Sequence, residues 1–284
     1  MVTRVDDDAA DGSWREVVEA VRRAVVAAGE QDPLDEAASL RVKHHGLADS
    51  VLWLSTRHGF ALAHAGSVDL AVAPDARGRG LGRELAAAAF VGEEPRTAWS
   101  HNDHPAAATL AARHKLRRAR ELWVMRRSAG EPLPELVVPD GIEVRGYRDG
   151  DRDEVLRVNA AAFAHHPEQG SMDADDLAAR MSEDWFEPAG LLVADTGAGL
   201  QGFHWTKRHN AELGEVYVVA IDPAAQGRGL GRVLTLAGLH HLRALGVGEV
   251  ILYVESDNAP AVRVYDGLGF THASHDTHVQ YRRP

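Results

Sequence analysis

Apolar positions in the second half of the chain alternate between two periods. Over 151–163, Val155, Leu156, Val158 and Phe163 share one helical face, and over 173–186 Leu177, Met181, Trp185 and Phe186 repeat that spacing. Both stretches predict amphipathic helices. The runs GLLVAD, LQGFHWTK and EVYVVAID, ending at Asp195, Lys207 and Asp222, read as strands. A glycine-rich turn follows, then a helix through VLTLAGLHHLRALG to Gly246, a strand EVILYVE, a short helix in APAVRVYDGLGF and an extended run to Tyr281. The first half repeats this order more faintly. It has helices near 13–28 and 34–44, strands VLWLST, FALAHAG and SVDLAVAP, a glycine turn at 77–82, an alanine-rich helix and the extended RTAWSH. The pattern predicts a mixed α/β fold.

An offset of 149 residues superposes Pro74 on Pro223, Arg77 on Gln226, Gly80 on Gly229 and Gly82 on Gly231. Two fused copies of one fold explain this economically. Between them RRSAGEPLPELVVPDG is a linker by composition, which gives a first domain at 1–128, a linker at 129–140 and a second domain at 141–284. A length of 284 residues accommodates two domains of ordinary size.

Charge and composition narrow the class. A net charge of −11 argues against nucleic acid or an anionic membrane as partner, because both select a basic surface. The absence of cysteine removes disulfides and thiolate chemistry and agrees with a reducing compartment. The N-terminus MVTRVDDDAADGSW is acidic, and no window approaches 18 uncharged apolar residues, so neither an export signal nor a membrane span is read. A cytoplasmic monomer is expected.

The turn carries the first chemistry. A strand ending in Asp-Pro that runs through Gln226, Gly227, Arg228, Gly229, Leu230, Gly231 and Arg232 into a helix leaves backbone N–H groups unpaired at the helix N-terminus. Glycines let that backbone approach a phosphate, and the helix dipole favours the anion. Arg228 and Arg232 can add charge-assisted contacts. No Lys-Ser or Lys-Thr follows, which excludes a Walker loop, and Arg232 occupies the place of the last glycine of a dinucleotide fingerprint.

Gln226, Gly229 and Gly231, followed by a strand, Asn258 and a Tyr265 before Leu268-Gly269-Phe270, resemble the GNAT acetyltransferase superfamily. The runs AFAHHPEQG, FHWTK, GEVYVVAIDPAAQGRGLGRVLT and LYVESDNAPAVRVYDGLGF carry a finer resemblance, over essentially the whole chain, to the mycothiol synthase family of tandem GNAT proteins. The resemblance implies two GNAT domains, each a mixed, mostly antiparallel sheet flanked by helices. It implies acetyl-CoA as co-substrate, with its pyrophosphate on the turn, its pantetheine arm along Val219, Ala220 and Ile221, and further contacts from Asn258, Ala259, Pro260, Ala261, Val262 and Arg263. The implied reaction is acetyl transfer to the cysteinyl amine of the small molecule Cys-GlcN-inositol, giving mycothiol and CoA.

Amide formation from a thioester needs a neutral amine, a polarised carbonyl and a protonated leaving group. An α-amine titrates near 8, so a carboxylate acting through water suffices as base. Glu215, at the start of the strand expected to hold the acetyl group, fits that role, and the N–H groups of Val219 to Ile221 would meet the oxyanion. Tyr265 would protonate the CoA sulfur. In the first copy, Leu70, Ala71, Val72 and the turn Gly78, Arg79, Gly80, Leu81, Gly82 and Arg83 are kept, but Glu215 falls on Gly66, and Tyr265 at or next to Leu110, or on Ala111 if the short helix is shifted by one. That copy is expected to bind acetyl-CoA or a related nucleotide without being a second active site. Acceptor contacts implied by the resemblance are Glu36, Glu168, Lys207, Tyr253 and Glu215 itself.

Sixteen histidines raise the question of a metal, above all His165-His166 and HASHDTH at 272–278. Adjacent histidines diverge on either a strand or a helix, a poor start for a tetrahedral site, and no metal is expected. Two alternatives stay open: a tandem GNAT enzyme acting on another small amine, such as an aminoglycoside, or on a protein N-terminus, and an acetyl-CoA-binding sensor without catalysis.

Overall fold

The computed structural model describes residues 2–5, 12–92, 96–164 and 169–283. By packing, the chain forms two units: one holds the described residues up to Leu122 together with those from Ser274 onward, the other Trp123–Ala273.

In the first unit, β1 (Val2–Val5) is followed by α1 (Ser13–Ala27), α2 (Glu36–His45), β2 (Ser50–Ser55), β3 (Gly59–His64), β4 (Ser67–Val72), α3 (Leu81–Ala89), β5 (Thr97–Ser100) and α4 (Pro105–Arg113). Strands β1 to β4 pair antiparallel in sequence order, and β5 lies parallel to β4. The closing strand β12 (Thr271–Arg282) adds Val279–Arg282 antiparallel to β5. One face packs Val18, Val21 and Val25 of α1 on Phe60, Leu62 and Ala71; the other packs Leu85 and Ala89 of α3 on Ala61, Ala63 and Val68. Alternation along β3 and β4 sends neighbouring residues to opposite cores.

The second unit contains the end of β6 (Arg117–Ser128), then β7 (Glu143–Gly146), α5 (Arg152–Ala162), α6 (Ala174–Met181), β8 (Leu191–Asp195), β9 (Leu200–Arg208), β10 (Leu213–Ile221), α7 (Leu230–Ala244), β11 (Glu249–Glu255) and α8 (Ala259–Asp266). Strands β7 to β10 are antiparallel and β11 is parallel to β10. Leu236, Leu239 and Leu242 of α7 cover Val216, Val250, Leu252 and Val254 on one face. On the other, Val155 and Val158 of α5 and Leu177 of α6 cover Phe203, Trp205, Val218 and Ala220. Both units are thus α/β with mixed, mostly antiparallel sheets between helices.

Two boundaries differ from the sequence reading. The helix expected over 173–186 ends at Met181, and Trp185 and Phe186 turn back onto Trp205, with ring centroids at 5.6 and 5.7 Å. Their burial comes from tertiary packing and only mimics helical spacing. The linker also has partners inside the second unit: Leu133 and Leu136 pack on its core, and the guanidinium of Arg127 donates to the carbonyls of Glu131 and Pro132. No helix among the described residues is long and apolar enough to cross a membrane.

Candidate functional site

The parallel pairing of β10 with β11 runs only from Leu213 opposite Glu249 to Val216 opposite Leu252. Beyond it the two strands part, and on the other edge the β9–β10 register slips between Val216 and Val218. A bulge of this kind twists the strand, and Val219, Ala220 and Ile221, still paired to β9, lie past the last residue paired to β11. After Ile221 comes a short turn, Pro223–Ala225, and then the glycine segment. Gly227 and Gly229 have φ of 75° and 78°, a region that charges other residues for their Cβ, and an added Cβ would meet nothing within 4 Å. The glycines are therefore needed for backbone conformation, with open space left above the α7 N-terminus.

Gly229 caps α7 without a side-chain hydrogen bond, and Leu230, Gly231 and Arg232 form its first turn. Gln226, Arg228 and Arg232 are exposed, and Arg232 Nη1 donates to the carbonyl of Gly267 at 3.1 Å, tying this turn to the end of α8. At the start of α8, Asn258 accepts from the N–H of Ala261, with Ala259 and Pro260 in the first turn and Val262 and Arg263 following. The predicted second-unit cofactor residues thus lie on three neighbouring elements around the parted strands.

Register brings the acceptor candidates together. Glu215 lies opposite Lys207 on β9 and Ile251 on β11, two residues before Tyr253. Paired residues point the same way, so Lys207, Glu215 and Tyr253 share the face covered by α5 and α6. The Lys207 ammonium sits 4.6 Å from the Trp185 ring centroid and 5.2 Å from that of Tyr217, within cation–π range. Arg180 donates to the Tyr217 hydroxyl at 3.0 Å. Glu215 is buried, and its Oε2 lies 2.6 Å from His209 Nε2. Glu36 begins α2 in the first unit, and Glu168 lies outside the described residues.

Tyr265 belongs to the opposite face, half-buried on α8 against the core of Leu268 and Phe270, its ring edge-on to Phe270 at 6.0 Å. Burial pushes its phenol up to about 12, which keeps it protonated at neutral pH. Carboxylate and phenol therefore flank the parted strands from the two sides.

The first unit repeats the cleft. β4 pairs with β5 at Ser67 and Thr97, and a cavity of about 900 Å³ is lined by Leu70, Ala71 and Val72, the turn from Gly78 to Arg83, and α4. Gly78 and Gly80 have φ of 75° and 86°. In place of Gln226 stands Arg77, whose guanidinium holds Glu30 at 2.6 and 2.9 Å. Gly66 is in the β3–β4 turn at φ 77°. With the caps His104 and Asn258 superposed, Ala111 on α4 stands where α8 has Tyr265. A different acid lies on the α1–α2 face: Asp69 Oδ2 is 2.7 Å from His64 Nε2, with both side chains under 10% exposed. Burial pushes Asp69 up; burial would lower His64, but the hydrogen bond and charge of Asp69 outweigh it and raise it.

The histidine-rich C-terminal run divides: His272 stacks on Trp123 at 4.4 Å, whereas His278 Nδ1 meets His101 Nδ1 at 3.2 Å. Among the described residues no three His, Asp or Glu side chains gather to hold a metal ion, and His165 and His166 lie outside them. His209, Trp185 and Tyr217 were absent from the sequence-based site; His209 and Tyr217 meet their partners through hairpin register and Trp185 through the turn after α6, and no local signal carries either.

The family model described as Acetyltransferase (GNAT) family matches residues 158–270. A mycothiol acetyltransferase of a Nocardioides species is 58% identical, covering 98% of this chain and all of its own, and one from Nocardia farcinica is 50% identical over 92% of this chain and 93% of its own. Among solved structures, a tandem GNAT protein from the clavulanic acid biosynthesis pathway superposes with a TM-score of 0.67 at 18% identity, covering 99% and 98% of the two chains. A GCN5-related N-acetyltransferase from Sphaerobacter thermophilus gives 0.66 at 22%, covering 100% and 96%.

Proposed function

The chain belongs to the mycothiol acetyltransferases of the GNAT family, and from that premise we propose that its second unit transfers acetyl from acetyl-CoA to the cysteinyl amine of Cys-GlcN-inositol. The observation that supports the site most is the end of β10–β11 pairing at Val216 and Leu252, because it opens unpaired strand between a carboxylate on one face and a phenol on the other. Acetyl-CoA supplies the activated acyl group. The turn from Gln226 to Arg232 offers N–H groups and two cationic side chains to its phosphates, with Asn258 to Arg263 beside them. The N–H groups of Val219 to Ile221 stabilise charge developing on the carbonyl oxygen.

Glu215 takes the proton of the ammonium, directly or through water, and frees the amine for attack. Collapse of the tetrahedral adduct breaks the C–S bond, and Tyr265 gives its proton to the departing sulfur. The amine approaches from the α5–α6 face and the thiol leaves on the α7–α8 face, so base and acid do not compete for one proton. Lys207 and Tyr253, with Glu168, serve the hydroxyl-rich acceptor. The first unit binds acetyl-CoA or a related nucleotide in its cavity and does not turn it over, as Gly66 and Ala111 replace base and acid. We place this activity in the cytosol, on a monomer and without a metal.

The test is CoA release with acetyl-CoA and Cys-GlcN-inositol, run beside aminoglycosides and peptides. Release confined to the cysteinyl glycoside is expected; faster release with another amine would overturn the acceptor.

A further inference from the structure

We propose that His209 is the positioning residue of the base, holding one oxygen of Glu215 so that the other faces the acceptor amine. This rests on the reading of Glu215 as base. An ionised carboxylate only accepts hydrogen bonds, so at 2.6 Å the His209 Nε2 is the protonated nitrogen and donates to Oε2. Oε1 is left for the amine or its bridging water. The neighbouring strands offer Glu215 a lysine, Lys207, on one side and an apolar residue, Ile251, on the other. The Lys207 ammonium lies over the rings of Trp185 and Tyr217, whereas the imidazole of His209 holds Glu215 Oε2 directly.

The hairpin fixes the imidazole in turn. The His209 N–H donates to the carbonyl of Leu213 at 2.9 Å. The Asn210 side chain accepts from the N–H groups of Glu212 and Leu213 at 2.8 and 3.0 Å, and Arg208 Nε donates to the Asn210 carbonyl at 3.1 Å. A side chain on so constrained a loop loses little entropy in holding its partner. Its exposure sets it apart from the other carboxylate–imidazole pair: His64 and Asp69 are sealed at 9% and 8%, whereas His209 is 33% exposed beside a Glu215 at 8%. His209 lies at the boundary between the buried base and the water from which an acceptor arrives.

Steady-state kinetics of the full chain with acetyl-CoA and Cys-GlcN-inositol test this with His209→Ala, His209→Gln and Glu215→Gln. His209→Ala is expected to lower kcat roughly tenfold to a hundredfold with the KM for acetyl-CoA unchanged, as misplacement of a catalytic group does. His209→Gln, whose amide N–H reaches as far as Nε2, should recover most of that loss, and free imidazole should raise the rate of His209→Ala but not that of Glu215→Gln. A wild-type kcat in His209→Ala, or a loss that neither glutamine nor imidazole repairs, overturns the proposal. Full activity in Glu215→Gln would instead sink the base assignment, while an inactive Glu215→Gln beside an unimpaired His209→Ala sinks the positioning role alone.

Discussion

β4 and β10 enter their glycine turns alike, through Leu70–Val72 and Val219–Ile221, yet on the repeat offset β10 begins three residues earlier, at Leu213 where β4 begins at Ser67. Those three residues carry Glu215, and the loop before them carries His209. In the first unit a tight turn at Ala65 and Gly66 replaces both. The helix side differs too. His204, opposite Val219, fits over Gly238 of α7, where an added Cβ would fall 2.0 Å from the ring; at the same offset, Leu70 lies opposite Ala61, and Ala89 of α3 takes the glycine's place. One gap is filled by imidazole on glycine and the other by two alanines. The turn tolerates neither kind of drift, since its φ values leave no residue but glycine unstrained. What the duplicates share is the backbone of the glycine turn, and what separates them is the length of the strand that enters it.

The largest effect should come from the catalytic pair. Glu215→Gln and Tyr265→Phe are expected to lower kcat by about 10²-fold or more, whereas Asp69→Asn should leave kcat within about twofold in the folded fraction, because on the proposed reading the first unit does not turn over. Equal losses from Asp69→Asn and Glu215→Gln, read by CoA release, would erase the distinction between the units. Next in size, Gly238→Ala should destabilise by about 1–3 kcal/mol through overpacking. The double change His204→Ala with Gly238→Ala, which imitates the first unit, should recover part of that in thermal or urea unfolding. A double mutant no more stable than Gly238→Ala would show that the two residues do not compensate.

Proton linkage distinguishes the units on the alkaline side. Burial lowers His204 to about 4 and His278 to about 3, so each of these imidazoles binds fewer protons folded than unfolded between pH 6.5 and those values. Acidification through that window should weaken both units, on the order of 2 kcal/mol at pH 5 for His204. The raised His64 works in the opposite direction. Its contribution is present below the unfolded value and is lost as pH rises through the folded one, so exchange protection, corrected for the base-catalysed intrinsic rate, should fall in β3 and β4 but not in β9 and β10. Matching exchange in both hairpins would contradict that assignment. The smallest effects are at the turns. Gly229→Ala and Gly80→Ala each force a residue into left-handed backbone at roughly 1–2 kcal/mol. The first should raise the KM for acetyl-CoA, and the second should leave catalysis intact and reduce acetyl-CoA binding in calorimetry from two equivalents to one.

Much of this was legible in the chain. The glycine turns, the strand before each and the helix after each are local signals, and the repeat offset set Gly66 against Glu215. Trp185 and Phe186 misled because burial by a neighbouring strand produces the same apolar spacing as a longer helix. His209 and Tyr217 were silent because a hairpin register decides whom they meet. The last strand was read as an extended run, but its return to the first unit depends on pairing with β5, more than 170 residues away in sequence.

On the proposed reading, the short β3–β4 hairpin makes the lack of a base in the first unit hard to reverse. Gly66→Glu would place the carboxylate on a left-handed turn residue outside the strand, and no single codon change lengthens β4. To regain a base there the chain would need an insertion that keeps the alternation of the strand behind it, since a one-residue error would exchange the two faces of β4.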